Sequence, residues 1–177
     1  AQGNEVRVSI ENLIGSRFGD TFTGNAVANA FDGQSGSDGL NGGGGNDTLL
    51  GGADADTLQG AAGNDSLVGS NADNHLEGGV GDDTVSGLGG NDLIYGQEGN
   101  DSLLGGGGND LLDAGGGLNT MKGGMGNDTY AFLANAQTDQ ASEFAGEGSD
   151  HLDFGYVTSG ALLFALKASG LLEVSGA

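Results

Sequence analysis

The sequence predicts an all-β chain wound as a solenoid of nine-residue units. Three observations predict it. One nine-residue pattern recurs thirteen times between Gly15 and Ala131 without insertion. Glycine supplies 40 of 177 residues, whereas proline, cysteine and tryptophan are absent. Asp and Glu total 25 against 4 Lys and Arg, a net charge of -21. Few aromatics, much glycine and a large charge would by themselves suggest disorder. The repeat overrides that reading, because fixed-period self-similarity is the signature of a stacked architecture.

The same composition excludes several functions. No basic patch exists to meet phosphates, so nucleic acid is not a partner. Docking on anionic lipid is excluded on the same ground. No apolar run reaches the roughly 18 residues of a membrane span. Without cysteine there is neither a disulfide scaffold nor a thiolate metal site. His75 and His151 are the only histidines, and neither sits in a zinc-protease helix motif or a Ser-His-Asp set. No G-x-S-x-G elbow, P-loop or EF-hand pattern is present. The chain is therefore expected to be no enzyme.

Along the chain, residues 1–14 form an N-terminal segment, and Val6 to Gly15 alternates as a strand does. The repeat occupies residues 15–131. Its best units read GGGGNDTLL (Gly42 to Leu50), GQEGNDSLL (Gly96 to Leu104), GGGGNDLLD (Gly105 to Asp113) and GGMGNDTYA (Gly123 to Ala131). The first place is Gly in twelve units and Ala114 in the other. The sixth is Asp in ten: Asp20, Asp38, Asp47, Asp56, Asp65, Asp83, Asp92, Asp101, Asp110 and Asp128. It is Asn29, Asn74 or Asn119 in the remaining three, and the eighth is apolar throughout, from Phe22 to Tyr130.

These residues resemble the RTX family, the hemolysin-type calcium-binding repeats of pattern GGxGxDxUx, with U apolar. The resemblance covers residues 15–131. It implies a right-handed parallel β-roll with calcium inside its turns. Where the family supplies carbonyl ligands, the matching glycines include Gly45, Gly63, Gly81, Gly99 and Gly108.

The residues give a compatible reading on their own. Six residues rich in Gly and Asn suit a turn with φ > 0. Three residues such as Thr-Leu-Leu suit a very short strand whose middle side chain faces the core. Nine residues then make half a coil, and alternate units stack on one edge about 4.8 Å apart. One edge carries Asp20, Asp38, Asp56, Asn74, Asp92, Asp110 and Asp128; the other carries Asn29, Asp47, Asp65, Asp83, Asp101 and Asn119. Carboxylates at that spacing repel by about 1–3 kcal/mol per neighbouring pair. A hard divalent cation between them removes the conflict, and calcium takes 6–8 oxygens from carboxylates and carbonyls.

Six gaps on one edge and five on the other set a ceiling of eleven ions. Gaps touching Asn29, Asn74 or Asn119 are expected to be weak or empty, and those between Asp83 and Asp110 the strongest. One apolar residue per strand makes the roll core-poor, so calcium is expected to be a folding partner.

Residues 132–177 leave the nonapeptide rhythm and are expected to cap the roll, since solenoids need covers. Glu143 and Asp150, in SEFAGEGSDHLDF, match the acidic places of the segment that commonly follows RTX arrays, and an extra calcium is expected there. Propensity alone allows a short helix over Ala161 to Ala168; beside a roll, two strands fit better. Leu50, Val68 and Leu104 on one sheet, and Leu93, Tyr95 and Leu111 on the other, face outward. They read as scattered surface apolar residues or as a docking face for a neighbouring domain or module.

The resemblance implies a segment of a larger bacterial protein, secreted by a type I apparatus to the exterior or cell surface. A surface-layer or adhesin segment, or an appendage of a secreted protease, lipase or epimerase, are the alternatives.

Overall fold

The structure is a computed structural model that describes residues 11–132, 139–143, 148–154, 162–166 and 171–176. Among these residues all regular structure is strand. Each strand of the repeat begins at the seventh place of a unit. The turn before it ends in a small acidic or amide residue, and the β-favouring Thr, Ser or apolar residue after it opens the next strand.

Odd-numbered strands form one sheet: β1 (Asn12–Ile14), β3 (Ala30–Asp32), β5 (Thr48–Leu50), β7 (Ser66–Ser70), β9 (Thr84–Gly89), β11 (Ser102–Gly107), β13 (Thr120–Met125) and β15 (Gln140–Ser142). Even-numbered strands form the other: β2 (Thr21–Thr23), β4 (Gly39–Gly44), β6 (Thr57–Ala62), β8 (His75–Val80), β10 (Leu93–Glu98), β12 (Leu111–Asp113), β14 (Thr129–Ala131) and β16 (His151–Asp153). Within the repeat, every neighbour is parallel and offset by two units, as in Leu49↔Leu67 and Leu58↔Leu76. This is the parallel β-roll that the repeat predicts, with two units to each coil.

The eighth-place residues line the space between the sheets. Phe31, Leu40, Leu49, Leu58, Leu67, Leu76, Val85, Ile94, Leu103, Leu112, Met121 and Tyr130 are all buried. Phe22 in the first unit is partly buried and meets Phe31 edge-to-face at 5.6 Å. Seventh and ninth places face out, so a three-residue strand reads exposed, buried, exposed, as Thr48-Leu49-Leu50 does.

Two features exceed the sequence expectation. Several strands are six residues long, because the first three places of the next unit pair as well, as in Gly43↔Ala61. The roll also continues past Ala131. Strand β15 pairs with β13, and β16 with β14, in the same parallel sense. Asp139 and Asp150 then take the sixth-place role, and Ala141 and Leu152 the eighth. Two extra residues in each of these units break the nine-residue count without breaking the coil.

Strands β18 (Leu171–Gly176) and β17 (Leu162–Leu166) then add to the odd sheet antiparallel, β18 against β15. Among the described residues of the apolar tail there are thus strands and no helix. Of the strand expected over Val6 to Gly15, Asn12–Ile14 is observed, and residues up to Ile10 lie outside the described residues.

Candidate metal centre

The turns hold their shape through backbone that only some residues adopt. At the fourth place φ is positive at Gly45, Gly63, Gly81, Gly99 and Gly108, the glycines expected to present carbonyls. Their carbonyl oxygens stack along the roll. A Cβ on Gly63 would lie within 3.0 Å of the Gly45 oxygen, and one on Gly81 within 3.0 Å of the Gly63 oxygen. Glycine is required there by both conformation and space.

The sixth-place side chains form a ladder on each edge. One carboxylate oxygen, Oδ1, accepts the N–H of the sixth-place residue one coil earlier. Asp47 N–H donates to Asp65 Oδ1 at 2.7 Å, Asp65 N–H to Asp83 at 2.7 Å and Asp83 N–H to Asp101 at 2.9 Å. On the other edge Asp38 N–H donates to Asp56 at 2.9 Å, Asp92 N–H to Asp110 and Asp110 N–H to Asp128 at 2.8 Å each. The ladder continues into the tail, where Asn119 N–H meets Asp139 Oδ1 at 2.9 Å and Asp128 N–H meets Asp150 Oδ1 at 3.0 Å. Asp139 is a member that the uninterrupted nine-residue count misses. Its signal is the Asp-x-apolar-x pattern of Asp139-Gln140-Ala141-Ser142.

The second oxygen has no such partner. Oδ2 of Asp38, Asp47, Asp56, Asp65, Asp83, Asp92, Asp101 and Asp110 is buried and makes no hydrogen bond. Each points at the first-place glycine of its own unit. Where Gly60 lacks a Cβ, Asp65 Oδ2 lies within 3.0 Å of the space, and the Gly78 carbonyl oxygen of the next coil lies 2.6 Å away. The same pairing recurs at Gly87, between Asp92 Oδ2 and the Gly105 oxygen, and at Gly105, between Asp110 Oδ2 and the Gly123 oxygen.

A buried carboxylate oxygen without a donor is costly. Burial accordingly pushes these carboxyls up: Asp83 to about 7, and Asp56, Asp101 and Asp110 to about 6, with neighbouring aspartates adding to the rise. The array is a row of oxygen-only cradles, each lacking a positive charge. That donor set fits calcium, which takes carboxylate and carbonyl oxygens in flexible number. It lacks the nitrogen and sulfur that softer metals favour.

Three turns are built differently. Their fourth-place residues, Phe18, Val27 and Ala72, are not among the positive-φ residues. Instead a second-place side chain accepts the fourth-place N–H: Ser16 Oγ from Phe18, Asn25 Oδ1 from Val27 and Ser70 Oγ from Ala72. The sixth-place oxygen is drawn back into its own turn. Asp20 Oδ2 accepts Ser16 N–H at 2.6 Å, Asn29 Oδ1 accepts Asn25 N–H at 3.0 Å, and Asn74 Oδ1 meets Ser70 Oγ at 3.1 Å. Asp20 therefore differs from the other sequence-selected aspartates described here: its second oxygen has a protein donor, and it is only half-buried.

Asp128 is buried, and the structure places it in a second kind of site. Oxygens of Asp128, Glu143 and Asp150 lie within 4.8 Å of one another. Glu143 stands at the first place of its unit, where twelve of the thirteen nine-residue units have glycine. Its Oε1 accepts from the Tyr130 hydroxyl and from Gly123 N–H at 3.1 Å. Burial first, and then the Asp150 charge, push the Glu143 carboxyl up to about 7.

A family model described as the RTX calcium-binding nonapeptide repeat, in four copies, matches residues 32–67, 68–103 and 95–130, more than half of the chain. The chain belongs to the RTX family. It is a calcium-binding repeat module folded as a β-solenoid of about seven turns. No curated protein matches this RTX chain.

A further ladder runs outside the RTX cradles. Fifth-place Asn and Asp side chains accept the fifth-place N–H of the next coil. Asn46 accepts from Asn64, Asn64 from Asp82 and Asp82 from Asn100, at 2.8–3.1 Å. It runs in the sense opposite to the sixth-place ladder, so the gaps that carry both ladders are pinned from both sides.

Of the outward apolar residues, Leu50, Leu93 and Leu104 are exposed, and Val68, Tyr95 and Leu111 are half-buried. His75 packs obliquely on Tyr95 at 5.5 Å and lies 3.1 Å from Glu77, away from both turn edges.

Proposed function

We propose that this module is noncatalytic and folds by taking calcium into the gaps between successive turns, outside the cell. The observation that carries the reading is the set of eight buried Oδ2 atoms without a donor. Each belongs to the lower turn of one gap, and beside Asp38, Asp65, Asp92, Asp101 and Asp110 the next coil's first-place carbonyl closes over it. The ligands proposed are Asp38, Asp47, Asp56, Asp65, Asp83, Asp92, Asp101 and Asp110, with carbonyls of glycines such as Gly45, Gly63, Gly81, Gly99 and Gly108. Asp128 shares the terminal site with Glu143 and Asp150. Asp20 belongs to a turn that closes without metal.

Calcium supplies the positive charge and the missing coordination. The chain supplies oxygen, register and exclusion of water. Without the ion the roll retains one apolar residue per strand and a column of uncompensated acids, so the metal-free chain is expanded.

This behaviour suits type I export as part of a larger protein. Low calcium inside the cell keeps the chain unfolded, and the millimolar calcium typical of weak extracellular sites folds it outside. Absence of Pro and Cys removes slow isomerisation and disulfide steps. Circular dichroism in calcium and in excess chelator tests the proposal. Strand signal that appears only with calcium supports it, and equal strand content in both refutes it.

A second reading, a surface-layer or adhesin segment, is favoured by exposed Leu50 and Leu104 on one sheet. Assemblies that form only with calcium would support it. Attachment to a secreted enzyme leaves the calcium chemistry unchanged.

A further inference from the structure

The turn from Gly69 to Asn74 carries its own donors where neighbouring turns leave an acid oxygen bare. It is the one nine-residue unit that pairs a second-place Ser with a sixth-place Asn. Both side chains are buried, Ser70 at 1 % and Asn74 at 3 % exposure. Toward the coil below, the Ser70 hydroxyl donates to the Asp54 carbonyl at 2.6 Å, and Asn74 Oδ1 accepts Asp56 N–H at 3.1 Å. A backbone N–H can only donate, so this contact fixes which amide atom faces the other way. Toward the coil above, Asn74 Nδ2 donates to Asp92 Oδ1 at 2.9 Å; within its own turn it donates to the Ala72 carbonyl at 2.5 Å. Protein groups alone tie this turn to both neighbouring coils.

The amide nitrogen stands in a telling place. In the cradles of Gly60, Gly87 and Gly105, the atoms beside the missing Cβ are a sixth-place Oδ2 and the next coil's first-place carbonyl oxygen. At Gly69 they are Asn74 Nδ2 and the Gly87 carbonyl oxygen, each 2.9 Å from that spot. An amide NH2 offers two donors and no acceptor, so it repels a cation where Oδ2 would attract one. The unpartnered Oδ2 atoms of Asp38 and Asp56 lie below this turn and those of Asp92 and Asp110 above it. The turn therefore interrupts the acidic row rather than ending it.

We propose that Ser70 and Asn74 form a calcium-independent staple. Their neutral donors stand in for the ion between the turns of Asn74 and Asp92 and hold the middle coils in register when calcium is scarce. The inference rests on the reading of the other gaps as calcium sites. Each coil of a solenoid contacts only its neighbours, so the staple acts locally, on the coils of Asp56, Asn74 and Asp92.

Two measurements on the full chain test it. The first is amide hydrogen exchange by NMR, with buffered calcium held at the folding midpoint. The N–H groups of Asp56, Ala72 and Asn74 should exchange about fivefold or more slowly than those of Asp47, Asp65 and Asp110. Equal exchange across these groups in the parent would overturn the staple, and this arm needs no variant. The second is calcium stoichiometry by isothermal titration. Asn74→Asp puts a carboxylate oxygen where Nδ2 stands, so it should bind one more ion than the parent. Asn74→Ala should bind the same number as the parent. An unchanged count in Asn74→Asp, or one ion fewer in Asn74→Ala, would show that the amide does not take the ion's place. If Asp92→Asn also leaves the count unchanged, the gap reading fails and the staple falls with it.

Discussion

Gly60→Ala puts one methyl group into one cradle and so tests the geometry at its most crowded point. Gly60 has ordinary φ, so the substitution adds bulk without backbone strain. The new Cβ would fall within 3.0 Å of Asp65 Oδ2 and 2.6 Å from the Gly78 carbonyl oxygen. Ordinary contact needs nearly an ångström more, and the second atom is backbone. Either the coils separate or Asp65 leaves its place.

Overpacking of this kind costs about 1–3 kcal/mol, to which the loss of one calcium site adds. With a midpoint shift of about 2–4 °C per kcal/mol for a chain of this size, the calcium-loaded roll should melt lower by about 4–10 °C. Calorimetry should count one fewer ion. The assay is differential scanning calorimetry with a calcium titration on the same sample. A variant that melts with the parent and binds as many ions would show that Asp65 Oδ2 and the Gly78 carbonyl do not share a cation. Ala114 marks the natural exception at this place: its unit carries Asn119 rather than Asp.

Other expectations follow from the same cradles. Asp92→Asn should lower calcium stoichiometry and the steepness of binding, whereas Asp20→Asn should leave both unchanged, because Asp20 Oδ2 takes Ser16 N–H; isothermal titration separates the two. In chelator, acid should favour the roll. The raised carboxyls bind protons more tightly when folded, so this stabilisation is complete below about pH 4 and is lost as pH rises through 6–7. Circular dichroism against pH checks that slope, and calcium affinity should fall over the same window as protons compete. Leu67→Ala, at a fully buried position between Leu49 and Val85, should cost about 2–5 kcal/mol in calcium, read by thermal melting.

Much of this molecule is written in its period. Strict recurrence of an apolar eighth place located the buried line from Phe31 to Tyr130, and the sixth place located the acidic columns. Each reading needs only the strand's alternation and the two-unit coil. What escaped depends on side chains acting across units or on broken counting. Asp139 went unread because two inserted residues shift its coil out of the nine-residue count. Asp20 reads as a ligand from its place alone; only the Ser16 N–H, four residues back, shows that its oxygen is taken. The fifth-place ladder from Asn46 to Asn100 is likewise invisible until the coils are stacked, since each partner lies eighteen residues away.

The lone Oδ2 atoms are proposed to face a cation. Anomalous diffraction from crystals grown in millimolar calcium addresses it most directly. Discrete calcium peaks are expected between successive turns, each bounded by an aspartate such as Asp65 or Asp92 and by the next coil's first-place carbonyl, and none within the turns of Asp20 and Asn29. Well-ordered turns in that calcium, with these carboxylates facing only water or protein donors, would contradict it.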